Sequence, residues 1–193
     1  MKIVIIDYGA GNIQSVLFSL ERLGYKGIVS NCSDEIISAD KIIFPGVGEA
    51  GSAMKQLKLS GLDGLIPTLK QPVLGICLGM QLMCRYSEES NTECLGIFDT
   101  NIIRFTNNVK VPQVGWNTIY NLKSELFKGI TEETYMYLVH SYFAPKSKQS
   151  IAKAFYDVVY DVALQKENFY GVQFHPEKSG SHGEQILRNF LEL

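Results

Sequence analysis

Short, uninterrupted apolar runs alternate with helical segments through the first half of the chain. Such runs occupy residues 3–6, the neighbourhood of Ile28, residues 42–44 and residues 73–76. Between the first two runs, apolar residues recur at helical spacing from Ile13 to Leu23, and Gly24 ends that helix. Strands without polar alternation are buried on both faces, and such strands separated by helices form parallel sheets. The sequence therefore predicts an α/β fold: an open, mainly parallel twisted sheet with helices on both faces.

The second half of the chain has a different pattern. From about residue 94 it shows the alternation and turns of additional antiparallel strands, including residues 135–140 and 158–163. A final helix is predicted, with Ser181 and Glu184 at capping-box spacing and a buried face formed by Ile186, Leu187, Phe190 and Leu191. No repeat or linker divides the 193 residues. We expect a single domain over residues 1–193.

The composition argues against several classes of protein. A formal net charge of -2, with scattered Lys and Arg, offers no basic field for a nucleic acid. The apolar stretch at residues 73–84 is interrupted by glycines and Gln81, so we expect no membrane segment. Four cysteines form no CxxC pair, and residues 1–7 have the pattern of a short strand rather than a signal peptide. The sequence thus predicts a reduced, cytoplasmic protein.

A glycine-rich loop follows the first strand, at residues 8–12 (YGAGN). It could begin a dinucleotide fingerprint, but Gln14 occupies the place of the third glycine, and no acidic residue suited to the ribose follows the second strand. We therefore expect no Rossmann cofactor. Separately, we expect no bound metal ion.

Cys77 and His175 carry the strongest chemical signal. Cys77 lies where the buried run 73–76 changes into a helical pattern, with Gly75 and Gly79 beside it, which favours a strained strand-to-helix turn that exposes a nucleophile. A helix that begins at this cysteine also favours its thiolate. His175, Pro176 and Glu177 follow far downstream, and spacing by two along a strand end would place the imidazole and carboxylate on one face. A lone cysteine is usually a small core residue, but together these residues predict a nucleophile, a base and a carboxylate that orients the base.

The loop at residues 45–48 (PGVG) follows another buried strand. It could be a plain turn, yet acyl transfer needs two N–H donors for the developing oxyanion. The amide after the nucleophile, Leu78 N–H, is one predicted donor, and Val47 N–H is the other.

These motifs closely resemble the class I (triad) glutamine amidotransferases, in the segments GICLGMQ (75–81) and HPE (175–177). Further segments resemble one branch, the glutaminase subunits of imidazole glycerol phosphate synthase. They are DYGAGN (7–12), PGVG (45–48), VPQVGWN (111–117), VHSY (139–142) and GVQFHPEKS (171–179). Gln113 departs from the histidine usual in that branch, which bears on the partner-facing surface.

The resemblance implies a flavodoxin-like fold, a Cys77, His175 and Glu177 triad, and hydrolysis of L-glutamine without a cofactor. It implies that glutamine is held by residues of three segments, namely Gly46, Gly48, Gln81, Ser141 and Tyr142. It also implies a (β/α)₈-barrel cyclase as heterodimer partner, which uses the ammonia to form imidazole glycerol phosphate and aminoimidazole carboxamide ribonucleotide in histidine biosynthesis. The residues expected at or near that subunit interface are Asn12, Trp116, Tyr137 and Lys178.

Several alternatives remain open at this stage. The chain could serve another synthase, such as one that makes anthranilate or modifies surface sugars, or it could be a free-standing γ-glutamyl hydrolase. A catalytically silent binding protein is disfavoured, because all three triad positions are filled. His140 lacks a neighbouring carboxylate in the sequence and is interpreted as structural, and His182 as a solvated residue at a helix start.

Overall fold

A computed structural model describes residues 1–106 and 108–193 of the chain. The strands are β1 (Ile3–Ile6), β2 (Gly27–Ser30), β3 (Lys41–Gly46), β4 (Val73–Cys77), β5 (Tyr86–Ser87), β6 (Thr92–Glu93), β7 (Asn101–Arg104), β8 (Gln113–Ile119), β9 (Thr134–His140), β10 (Tyr142–Phe143), β11 (Ser150–Tyr156), β12 (Val158–Lys166) and β13 (Phe169–Val172). The α-helices are α1 (Ile13–Arg22), α2 (Ser33–Ile37), α3 (Ala50–Ser60), α4 (Leu62–Leu65), α5 (Leu78–Leu82) and α6 (Gly180–Glu192). Short 3₁₀ turns cover Ile66–Thr68, Glu89–Asn91, Glu125–Phe127 and Pro176–Lys178.

The main sheet has the strand order β11, β12, β13, β4, β3, β1, β2. From β13 to β2 neighbouring strands are parallel, whereas β11, β12 and β13 pair antiparallel. The predicted α/β fold is therefore confirmed, and antiparallel strands of the second half extend the same sheet. Strand β4 is the central strand of this order. Its last residue, Cys77, therefore lies near the middle of the side of the sheet where the parallel strands end.

Alternate residues of the parallel strands enter two separate cores. In β1, Ile3 and Ile5 face a cluster that includes residues of α1 and α6, whereas Val4 and Ile6 face a cluster with residues of α3, α4 and α5. Side chains alternate across a strand, so a strand covered on both sides must be apolar at every position. The uninterrupted apolar runs are the sequence signature of this double burial.

A two-stranded antiparallel hairpin, β8 and β9, stands beside the main sheet. On one face of the hairpin the side chains of Ile119, Met136 and Leu138 are buried. On the other face Val114, Trp116 and Tyr135 are exposed. A smaller sheet, with the order β10, β7, β5, β6, adjoins α5. These elements place residues 139–142 above the carboxyl end of β4.

The start of α6 differs from the predicted capping box. The helix begins at Gly180 with Ser179 as N-cap, so Ser181 and Glu184 lie inside its first turns. Glu184 instead pairs with Arg22 of α1 at 2.6 Å. The Ser179 hydroxyl makes no cap bond, because it accepts from Tyr137 N and donates to the His175 carbonyl. The predicted buried face of α6 is confirmed by Ile186, Leu187, Phe190 and Leu191.

Two further differences concern helices. Leu62, Leu65, Ile66 and Leu69 recur at helical spacing, which predicts one helix. They do not form one, because Pro67 lies in a 3₁₀ turn directly after α4. Helix α3 was missed, because its apolar periodicity is weak. Its start is instead fixed by Glu49, whose carboxylate accepts from Gly51 N and Ser52 N.

Candidate active site

Cys77 lies at the sharp turn where β4 ends and α5 begins. Its backbone has φ 54° and ψ -110°, a sparsely populated conformation for a residue with a side chain, which costs on the order of 1–3 kcal/mol. Gly79 permits the turn, because a Cβ there would collide with the Phe44 carbonyl of β3. The strained elbow predicted from the glycines is therefore present, and the Cys77 sulfur lines a cavity.

His175 and Glu177 meet through a tight turn. His175 Nδ1 lies 2.8 Å from Glu177 Oε1, and both side chains are buried. The predicted strand geometry is wrong here: His175 precedes the 3₁₀ turn Pro176–Lys178, and this curvature brings the two side chains together. A carboxylate acceptor fixes the proton on Nδ1 and leaves Nε2 for exchange with the thiol.

The protonated form of His175 is favoured by its two neighbours in the triad. Burial alone would lower its pKa, but hydrogen bonding and charge interactions with Cys77 and Glu177 raise it to about 10. The imidazolium is stabilised between two groups that are anionic when they have lost their protons. The geometry thus brings all three predicted triad residues together.

Asn12 lies behind the triad carboxylate. Its Nδ2 donates to Glu177 Oε1 at 3.2 Å, and its own Oδ1 accepts from Ser15 at 2.8 Å. In α1, Ser19 Oγ is 3.5 Å from the Glu177 carbonyl. Asn12 was predicted only as an interface residue, so its direct contact with Glu177 is an additional finding.

A cavity of about 330 Å³ opens above Cys77. It is lined by predicted site residues from several segments: Val47, Gly48, Cys77, Leu78, Gln81, Ser141, Tyr142, His175 and Lys178. Glu89, Pro112, Val139 and His140 also line it and were not predicted as ligands. The volume and the mixed polar and apolar lining suit a small, polar substrate.

The loop at residues 45–48 forms one wall of this cavity. Gly46 pairs in register with Cys77, and its missing side chain leaves space for Gly79 N, 2.6 Å from where a Cβ would lie. The Tyr8 hydroxyl donates to the Pro45 carbonyl at 3.0 Å and anchors the loop. Gly46 itself therefore shapes the wall rather than lining the cavity. Val47 N–H and Leu78 N–H remain the predicted oxyanion donors.

Gln81 and Gln173 form a buried amide chain that reaches the sulfur. Gln81 Nε2 donates to the Tyr142 carbonyl at 3.0 Å and to Gln173 Oε1 at 2.8 Å. Gln173 Nε2 lies 3.6 Å from Cys77 Sγ. Gln173 was missed as a functional residue, although it belongs to the segment that precedes the histidine.

His140 belongs to a second buried network. Its Nδ1 lies 2.8 Å from the Tyr142 carbonyl, and Nε2 lies 3.4 Å from the Tyr160 hydroxyl, which also contacts Gln113 Oε1 at 3.1 Å. Burial lowers the pKa of His140 to about 4, so its ring is neutral at physiological pH. Gln113 is buried in this network rather than exposed on a partner-facing surface, because it alternates to the inner face of the hairpin.

The remaining predicted interface residues lie on or near the outer face of the hairpin. Trp116 is 56% exposed, and its ring makes an edge contact with Tyr137 at 5.9 Å between centroids. The backbone of Tyr137 is tied to the triad, since its N–H donates to Ser179 Oγ and its carbonyl accepts from His175 N. Lys178 is exposed at the cavity rim, and His182 is exposed on α6.

Residues 1–106 and 108–193 offer neither a metal site of clustered side chains nor a membrane-spanning helix. No group of three His, Cys, Asp or Glu side chains in these residues is arranged to hold a metal ion. The helices among them are too short or too polar to cross a membrane.

Comparison with known proteins places these features in a family. The family model for "Glutamine amidotransferase class-I" matches residues 4–193. The imidazole glycerol phosphate synthase subunit HisH of Bacteroides fragilis is 56% identical, and that of Escherichia coli K12 is 46% identical, each with 100% of both chains covered.

Solved structures share the fold at low sequence identity. A structure described as a glutamine amidotransferase has a TM-score of 0.78 at 16% identity and covers 98% of this chain and 97% of its own. A PurLQS structure from Thermotoga maritima has a TM-score of 0.75 at 15% identity, with 99% and 97% covered. Taken with the matched family model and the full-length relatives, the chain belongs to the class-I glutamine amidotransferase family.

Proposed function

We propose that this chain is the glutaminase subunit of an imidazole glycerol phosphate synthase, acting in histidine biosynthesis. The observation that carries the proposal is the convergence of Cys77, His175 and Glu177 beside one substrate-sized cavity. The full-length identity of 56% and 46% to relatives with that name supports the specific assignment. The proposal keeps the cytoplasmic location expected from the sequence.

The first half-reaction releases ammonia. The Cys77 thiolate attacks the side-chain carboxamide carbon of glutamine, and N–H groups of Val47 and Leu78 stabilise the oxyanion. His175 donates its Nε2 proton to the departing nitrogen as the C–N bond breaks. The products of this step are ammonia and a γ-glutamyl thioester on Cys77.

The second half-reaction returns the enzyme to its starting state. His175, now neutral, takes a proton from water, whose oxygen attacks the thioester carbon. The C–S bond breaks, glutamate leaves, and the thiolate and imidazolium are restored. Glu177 holds the ring in the Nδ1-protonated tautomer through both steps, and Asn12 holds Glu177.

Gln81, Ser141 and Tyr142 are proposed to hold glutamine together with the loop that contains Gly46 and Gly48. The Gln81 amide nitrogen is already occupied by two acceptors, Tyr142 O and Gln173 Oε1. Its carbonyl oxygen is therefore the group available to accept a hydrogen bond from the substrate.

A barrel cyclase is proposed as the partner. The exposed hairpin face, formed by Val114, Trp116, Tyr135 and Val139, is apolar and continues to the cavity, because Val139 also lines it. A contiguous exposed apolar face beside a catalytic cavity suits a protein interface. Asn12, Tyr137 and Lys178 complete this proposed interface. Transfer between docked subunits would protect ammonia from protonation in bulk water.

The decisive experiment is co-purification with the candidate cyclase, followed by glutamate release with and without its nucleotide substrate. Cyclase-dependent and nucleotide-stimulated release, abolished by Cys77→Ala with an unchanged circular dichroism spectrum, is expected. Activity on γ-glutamyl peptides by the lone chain would favour a free-standing hydrolase instead. Stimulation by a different synthase, with none by the cyclase, would favour another amidotransferase branch.

A further inference from the structure

The side chain of Gln173 contacts the sulfur of the proposed nucleophile, Cys77. Gln173 follows β13 and precedes Phe174 and His175, and it is 0% exposed. Its Nε2 lies 3.6 Å from Cys77 Sγ, within hydrogen-bonding range for sulfur. The triad mechanism uses the sulfur without assigning this neighbour a role.

The direction of the Gln173 amide is fixed by its neighbours. The Tyr142 carbonyl is a backbone group and can only accept, so Gln81 must present its NH₂ group there. The same NH₂ group has one further proton, which it donates to Gln173 at 2.8 Å. Gln173 must therefore accept through Oε1, and its own NH₂ group is directed toward the sulfur.

Besides His175 and Gln173, the sulfur meets an unfavourable carbonyl. The Val139 carbonyl oxygen lies 3.7 Å from Cys77 Sγ and can accept from a thiol, but it repels a thiolate. An amide N–H directed at the sulfur has the opposite effect, because it favours the charged form. Gln173 therefore offsets the Val139 carbonyl when the proton has left the sulfur.

We propose that Gln173 is a catalytic hydrogen-bond donor that stabilises and orients the Cys77 thiolate. Through Gln81, it also links the sulfur to the backbone of Tyr142, beside the proposed glutamine-binding Ser141. This inference rests on the proposed glutaminase function. A purely structural Gln173 would matter for folding alone and would leave the reactivity of the sulfur unchanged.

The test measures alkylation of Cys77 by iodoacetamide across a pH series, in the full chain. Peptide mass spectrometry quantifies modification of Cys77, with the exposed Cys32 as internal reference. Gln173→Met removes the donor at similar size and should move the midpoint of the Cys77 pH profile upward by about one unit, a tenfold loss of thiolate at a given pH. Gln173→Glu should move it further, because a carboxylate would then face the sulfur.

Matched controls separate reactivity from folding. Gln165→Met replaces a partly buried glutamine of β12 that bonds Ser124 and Tyr170, away from the cavity, and should leave the Cys77 profile unchanged. Urea unfolding and circular dichroism confirm the fold of each variant. Gln173→Glu retains the side-chain size and the acceptor for Gln81, so it provides the test if Gln173→Met does not fold.

The outcomes distinguish this inference from the function on which it rests. Folded Gln173→Met and Gln173→Glu variants with the wild-type Cys77 profile would overturn the inference. A wild-type chain whose Cys77 is no more reactive than Cys32 would instead count against the proposed glutaminase. In the complex with the cyclase, a lowered kcat for glutamine with an unchanged KM would support the role at the sulfur.

Discussion

At the scale of single residues, Glu89 adds a negative charge to the cavity that holds Cys77 and His175. Its Oε2 accepts from Ala50 N at 2.8 Å, and burial raises the pKa of its carboxyl group. Free glutamine carries an α-ammonium group, which needs an opposite charge when it leaves water. Glu89 is therefore suited to bind the amino end of the substrate.

Replacing this charge should affect binding more than chemistry. Glu89→Gln keeps an acceptor for Ala50 N but removes the counter-charge, so we expect KM for glutamine to rise about tenfold, with kcat changed less. Steady-state glutamate release in the presence of the cyclase measures both constants. Glu93→Gln, at an exposed position outside the cavity, is the control and should leave KM unchanged. A lowered kcat at constant KM would contradict a role in binding.

Sequence reasoning found some residues of the site and missed others for a physical reason. Cys77 and His175 are predictable because local signals, the glycines at the elbow and the adjacent proline and carboxylate, mark their chemistry. Gln173 and Glu89 carry no local mark. Gln173 acquires its role only because β13 pairs with β4, which brings two segments far apart in sequence together. Such proximity follows from topology, which a single sequence does not specify.

At the scale of elements, α5 packs unusually closely on β3. A Cβ at Gly79 would overlap the Phe44 carbonyl, and neither backbone can shift without moving the nucleophile. We expect Gly79→Ala to lower the free energy of unfolding by about 1–3 kcal/mol and to abolish most activity. Urea unfolding and glutamate release measure the two effects.

Gly64 provides the matched control for this prediction. It lies in α4 with open space around its Cα, so Gly64→Ala should be neutral or stabilise by about 0.4–1 kcal/mol. Equal effects of the two substitutions would show that the contact between α5 and β3 is not tight.

The helices also show where local patterns mislead. Ser181 and Glu184 have the spacing of a capping box, yet α6 already begins at Gly180, and the Ser179 hydroxyl before it connects β9 with His175 instead of capping the helix. A tertiary contact here overrides a local propensity. The buried strands were predictable, by contrast, because their uninterrupted apolar character follows directly from burial on two faces.

At the scale of the whole molecule, burial of His140 makes stability depend on pH. Its pKa is lowered from 6.5 to about 4, so between these values the unfolded chain binds more protons than the folded one. The free energy of unfolding therefore falls as pH falls through this window, by as much as about 3 kcal/mol from this residue. His140→Gln should make urea stability less dependent on pH between pH 7 and pH 4.

The exposed His182 supplies the comparison for this pH series. His182→Gln should retain the pH dependence of the wild-type chain. Identical slopes for His140→Gln and the wild type would show that this ring is not the source.

The outer face of the hairpin should determine affinity for the proposed cyclase partner. Trp116→Ala removes a large exposed aromatic side chain, so we expect the Kd for the cyclase to rise by at least about tenfold while the chain remains folded. Isothermal titration calorimetry measures this change. Leu59→Ala, which truncates an exposed apolar residue of α3, should leave the affinity unaltered, and equal losses for both would refute a localised interface.

Tyr137 belongs to two parts of the molecule at once. Its ring contacts Trp116 on the outer wall, while its peptide groups bond Ser179 and the backbone of His175. The outer face of the hairpin is therefore connected to the backbone of His175 through a single residue. A displacement of the Trp116–Tyr137 pair would be transmitted directly to the proposed general base.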